Sequence, residues 1–212
     1  MKILGLAVVA GMATAAVAGV DVQTQNWAFP LSPNNAVLTF NKFDDNGGLK
    51  VLTKVEMSFN ATMGALVTAE NDSTLPAPNF AVNLSGFVTV GFASLSGFTG
   101  LAQGAMAGVA ASDGIAGSGP DFHDFGYLAD SSSGFDDTTS GLLSYYGPGT
   151  INANVFGTGG FSVSGTTDST LKLTDFAADG DVTIKYYWEP IPTPASLALA
   201  AVGMIAAGRR RR

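Results

Sequence analysis

The chain has 212 residues, room for one domain once terminal signals are set aside, with 10 basic residues, 17 acidic residues, one histidine and no cysteine. The lack of cysteine excludes thiol catalysis, iron–sulfur clusters and Cys-based zinc sites, and a lone His123 excludes most histidine-based ones. Lys2 and Arg209 to Arg212 lie in the terminal segments, so 10 − 5 = 5 lysines face all 17 acids, a net charge of −12 that repels nucleic acid.

In chain order, Lys2 precedes a short run of small and apolar residues that carries no charge before Asp21, with small residues at Ala16 and Ala18. That pattern predicts a secretory signal peptide over 1–18, cut after Ala18 to leave Gly19 as the mature N-terminus. The run is too short and too rich in Ala and Gly for a membrane span. Export machinery and signal peptidase are the partners it implies.

The body reads as strands. Val51-Leu-Thr-Lys-Val-Glu-Met-Ser-Phe59 alternates, with Val51, Val55, Met57 and Phe59 on one face and Lys54, Glu56 and Ser58 on the other. Before it, residues 44–48 (DDNGG) carry turn chemistry that accepts positive φ. Over 80–92, Phe80, Val82 and Leu84 fall together, and Phe87, Thr89 and Gly91 resume the pattern after an irregularity. Residues 97–119, mostly Gly, Ala and Ser, predict a long connection across one end of the fold, a short helix over 101–111 being the alternative. Gly147-Pro-Gly149, residues 157–160 (GTGG) and residues 178–181 (ADGD) read as breaks and turns. In the last strand Val182, Ile184, Tyr186 and Trp188 share one face, Thr183, Lys185 and Tyr187 the other. The predicted fold class is all-β, an antiparallel, jelly-roll-like β-sandwich, flanked by an N-terminal signal helix and a C-terminal hydrophobic helix.

Few residues suggest chemistry. Asp121, His123 and Asp124 are the candidate metal ligands, and oxygen donors on a loop would suit Ca²⁺. The spacing does not match an EF-hand loop, and the plainer reading is an acidic surface loop pinned to the core by Phe122, Phe125 and Tyr127. No G-x-S-x-G elbow, P-loop or dinucleotide motif occurs, so no catalytic residue, no metal and no cofactor are assigned and the chain reads as a non-enzyme. Trp27, Trp188, Tyr145, Tyr146, Tyr186 and Tyr187 could form a sugar-stacking platform, with Tyr187 the best placed to be exposed, although aromatics in strands usually pack.

The chain closes on PTPASLALAAVGMIAAGRRRR. Its fourteen uncharged residues, 195–208, would rise about 21 Å as a helix against a hydrocarbon core of about 30 Å, a marginal span whose arginines would stay on the cytoplasmic side. A Pro-Thr-Pro motif (Pro192, Thr193, Pro194), an apolar run carrying Ala195, Leu197, Leu199, Val202, Met204 and Ile205, and the cluster Arg209, Arg210, Arg211 and Arg212 stand in that order. This tripartite tail resembles the PEP-CTERM sorting signal of Gram-negative-type bacteria, with Pro-Thr-Pro in place of the usual Pro-Glu-Pro. The resemblance implies processing by an exosortase-type membrane protease and transient membrane anchoring. Residues 24–33 (TQNWAFPLSP) and 38–44 (LTFNKFD), with the strands at 51–57 and 182–190, resemble the choice-of-anchor E domain. The implied organisation is a signal peptide over 1–18, a choice-of-anchor E-like domain over 19–189 and a sorting tail over 190–212. The expected location is the cell envelope, cell surface or extracellular matrix, with extracellular polysaccharide as a candidate partner and a carbohydrate- or Ca²⁺-binding module as the alternative function.

Overall fold

The computed structural model describes residues 17–31 and 33–191. Residues 1–16 of the predicted signal, Ala16 among them, the Pro192–Pro194 motif, the apolar run and the arginine cluster lie outside the described residues, as do both predicted terminal helices. Among the described residues no helix is long and apolar enough to cross a membrane. Eight strands carry the fold: β1 (Gly19–Pro30), β2 (Asn34–Asn41), β3 (Lys50–Asn71), β4 (Ala77–Phe92), β5 (Leu95–Val109), β6 (Phe122–Thr138), β7 (Thr150–Ser164) and β8 (Ser169–Pro190). A 3₁₀ turn, Leu142–Tyr145, leads into β7.

Two antiparallel sheets of four strands form, ordered β1-β8-β3-β6 and β2-β7-β4-β5, as the all-β prediction requires. Their inner faces share one core, because alternate residues of β4 and of much of β3 and β8 are apolar and a pleated strand sends alternate side chains to one face. Val55, Met57, Phe59 and Met63 of β3, Val182, Ile184 and Tyr186 of β8, and Phe80, Val82, Leu84, Val88, Val90 and Phe92 of β4 are all buried in it.

Both pairs of sheet edges are bridged by side chains. At one edge Gln23 of β1 donates from Nε2 to Asn41 O at 2.9 Å and accepts from Asn41 N at 2.8 Å, and Gln25 donates to Thr39 O. At the other, Asp136 and Asp130 of β6 accept from Ser96 N and Ala102 N of β5 at 2.9 and 2.8 Å. Three edge amides, of Asn41, Ser96 and Ala102, are thereby occupied rather than left to template pairing with another chain.

Four expectations are corrected. Residues 97–109 are strand β5, not a long connection or a helix. Leu95, Thr99, Leu101 and Val109 point inward at a spacing of two, and only 110–121 connects. Alternation in β4 runs unbroken through Gly86, so Phe87, Thr89 and Gly91 belong to the outer face. A Cβ at Gly86 would meet Thr158 O and Met63 Sδ, which fill its inward position. In β3 a bulge at Thr53 flips the parity, burying Leu52 and leaving Val51 40% exposed. Residues 157–160 and 178–181 do not turn. They lie inside β7 and β8, where glycines sit beneath rings: Gly157 under Phe29, Gly159 under Phe176 and Gly180 under Trp27. The predicted turn at 44–48 does form, with Asn46, Gly47 and Gly48 at positive φ.

Candidate functional site

The candidate metal ligands part company. His123 and Asp124 lie on β6, in a strand rather than a surface loop. His123 packs edge-on against Phe125 with ring centroids 4.6 Å apart, and exposed Asp124 accepts Gly126 N at 2.8 Å within a bulge that leaves Phe125 unpaired with β3. Asp121, just before β6, is fully buried and turned toward the β5–β6 connection. Among the described residues no three His, Asp or Glu side chains gather as a metal cluster.

That connection, residues 110–121, is tied down at one pole of the fold. Ala110 N donates to Pro120 O, Ser112 N to Ser73 O and Asn71 N to Asp121 O, all within 3.0 Å. Buried Asn71 adds Nδ2 donations to Leu75 O and Ala110 O. Asp121 Oδ2 accepts Asp113 N at 2.9 Å, and Glu70, 6% exposed, accepts Gly117 N at 2.8 Å. Asp113 Oδ1 accepts Ile115 N, closing a turn of its own. Nothing in the spacing of Glu70, Asp113 and Asp121 announces that the fold brings them to one loop.

A second polar cluster lies on the outer face of β3 and β8. Glu56, nearly buried, accepts from Lys185 Nζ at 2.8 Å, Tyr187 Oη at 3.1 Å and Lys54 Nζ at 3.2 Å, and Lys54 also pairs with Asp137 at 2.6 Å. The Lys185 hydrogen bond holds the Glu56 carboxyl below its ordinary 4.5, with Lys54 and Tyr187 adding to it against the opposing effect of burial. The Lys54 and Lys185 ammoniums are raised in turn, Lys54 chiefly by Asp137 and Lys185 chiefly by Glu56. A depressed folded pKa stabilises above the unfolded value and ceases to do so as pH falls through the folded one. Glu56→Gln is therefore expected to melt about 2 to 4 °C below wild type at pH 7, from the loss of about 1 kcal/mol at this solvent-edged cluster. Thermal melts from pH 7 to 3 should show the gap closing below pH 4.5.

The aromatic candidates are mostly core. Tyr145 and Tyr186 are fully buried and Trp27 is 5% exposed, and burial pushes the Tyr186 hydroxyl far up. Trp188 caps Gly19 and donates to Asp21 at 3.1 Å, while half-buried Tyr146 accepts Leu52 N at 2.5 Å. Tyr187 does face outward, into the Glu56 cluster. The exposed row is one the sequence did not single out: Phe98, Phe87 and Phe156 cross the outer face of β5, β4 and β7 with centroids 5.6 and 6.1 Å apart. The β4 parity that places Phe87 there was the available signal. A shallow concavity of about 370 Å³ lies near the 44–48 turn, lined by Lys42, Asp44, Asp45 and Tyr146, where Asp44 and Asp45 each hold a turn amide.

Neither a protein-family model nor a curated protein matches the chain. Among solved structures it is similar to the VP2 subviral particle of infectious bursal disease virus at 10% identity and a TM-score of 0.14, over 92% of this chain and 50% of that one. The structure of the Gx strain of the same virus is similar at 11% identity and a TM-score of 0.15, over 99% and 54%. The chain thus spans about half the length of either, and scores this low leave the fold to rest on its own strand order.

Proposed function

We propose that this is an exported, non-enzymatic surface or matrix protein. A jelly-roll-like, choice-of-anchor E-type domain is delivered by the leader and sorted by an exosortase-processed PEP-CTERM-like tail. One observation carries the reading: Gly19, the first residue after the expected cleavage, pairs directly with Trp188, two residues before β8 ends at Pro190. Leader and tail therefore leave the same end of two neighbouring strands, and of the tail only Pro190 is part of a described strand. Cutting after Ala18 and near Pro192–Pro194 would spare every ladder hydrogen bond of the sandwich. Strand order supports the jelly-roll reading, since β1-β8-β3-β6 facing β2-β7-β4-β5 is the order of two interleaved Greek keys. The experiment is a Pro192→Ala/Pro194→Ala double variant expressed in the native host and fractionated. Accumulation in the membrane with the tail intact is expected. Release of the same truncated species as wild type would overturn processing at this motif.

The alternative, a polysaccharide-binding module of the matrix, is favoured by the exposed Phe98–Phe87–Phe156 row, since such rings can stack on sugar faces. Retention on matrix polysaccharide that Phe98→Ala abolishes would support it.

A further inference from the structure

The loop at residues 110–121 holds an unexplained carboxylate. Asp121 is 0% exposed, its Oδ2 takes Asp113 N, and its Oδ1 has no hydrogen-bond partner. An uncompensated carboxylate oxygen away from water is costly, and buried anions are normally paired or bound to metal. Nor does a cation of the protein answer it. The four salt bridges among the described residues use Asp21, Glu56 and Asp137 with Lys50, Lys54 and Lys185, and none reaches Asp113, Asp121 or Glu70.

The bare oxygen is aimed at a definite place. A Cβ built on Gly119 would lie 2.9 Å from Asp121 Oδ1 and overlap Asp113 Oδ2, so two anionic oxygens flank one small space that only a glycine leaves open. Gly119 also has φ +106°, a conformation that other residues rarely adopt. Glu70 is anchored on Gly117 N of the same loop and does not join the pair as a third ligand. Two like charges converge on this one space, one of them buried and the other at the surface, and a positive partner between them would relieve both.

We propose that Asp113 and Asp121 bind a Ca²⁺ ion at the Gly119 cradle, with loop carbonyls and water completing its oxygen shell. Hard oxygen donors on an irregular loop suit Ca²⁺ rather than a transition metal, and a site with two carboxylates belongs with weak extracellular modules, with dissociation constants of roughly 10⁻⁴ to 10⁻³ M. The residues differ from the sequence-derived trio, of which only Asp121 takes part. This inference stands apart from the sorting reading.

The test is thermal melting and titration calorimetry of the full chain, stripped with EDTA and returned to 10 mM CaCl₂, against NaCl of equal ionic strength. Binding to the native state alone raises the melting temperature by about 3 to 10 °C at that concentration, and EDTA reverses it. Asp113→Asn is the clean variant: the side chain is exposed and its amide oxygen still accepts Ile115 N, so folding is kept while Ca²⁺ affinity falls at least tenfold. No calcium-dependent rise would overturn the proposal. So would an equal rise in Asp113→Asn, which would place the effect in general screening of an acidic surface. A calcium-independent rise on acidification that Asp113→Asn removes would also overturn it, assigning the pair a shared proton.

Discussion

Phe59→Ala is expected to lower the melting temperature by about 6 to 20 °C, the consequence of losing about 3 to 5 kcal/mol in a domain of this size. Phe59 is 1% exposed and belongs to the β1-β8-β3-β6 sheet, yet its ring reaches Gly97 of the opposite sheet as well as Gly134, its own register partner on β6. A single side chain thus fills the space that two glycines leave. The sharper test is the double-mutant cycle with Gly134→Ala. A Cβ at Gly134 would overlap the Phe59 ring, so the single variant should cost about 1 to 3 kcal/mol. In the Phe59→Ala background the same methyl enters an empty cavity, and its effect should shrink to nothing or reverse. Urea denaturation of the four proteins measures the coupling, expected to exceed about 1 kcal/mol. Additive effects would mean that ring and glycine do not share the space.

Gly180→Ala is expected to cost about 3 kcal/mol, or about 6 to 12 °C in melting temperature. Gly180 lies mid-strand in β8, where a Cβ would overlap the Asn60 carbonyl oxygen and meet the Trp27 ring at 3.0 Å. Backbone cannot step aside as a side-chain end can. Gly100→Ala in β5 provides the contrast, because nothing lies within 4 Å of its Cβ position and its φ is ordinary. There the methyl restricts the unfolded chain and should be neutral or stabilise by about 0.4 to 1 kcal/mol. Equal losses at both positions would show that the close approach at Gly180 does not matter.

These glycines also explain where the sequence was legible. Strands whose inward positions were large and apolar could be read at once: Val182, Ile184 and Tyr186 alternate as expected and are buried. Turns with Asp and Asn beside glycine could be read only where nothing packs on them, as at 44–48. Asp179-Gly180 carries the same letters, but Trp27 from β1, distant in sequence, holds it extended. In β5 the inward face is spelled Leu95, Gly97, Thr99 and Leu101, because the Phe59 ring occupies what a larger side chain at 97 would fill. A strand whose bulk is lent by its neighbour looks like a linker when read alone. The Gly119 cradle was hidden for a related reason: Asp113 and Asp121 meet only because the loop closes, and Asp121 was legible as a candidate while its partner was not.

For the functional reading, the sheets of the described residues open at Gly19 of β1 and close at Pro190 of β8. On the proposed reading, sorting and folding are separable, with the acidic domain as cargo and its two ends as address. The most direct measurement is the intact mass of the native protein from cell and medium fractions, with its terminal peptides sequenced. The account predicts a species beginning at Gly19 and ending near Pro192 or Pro194. A species that still ends at Arg212 would contradict it and make the tail a permanent anchor.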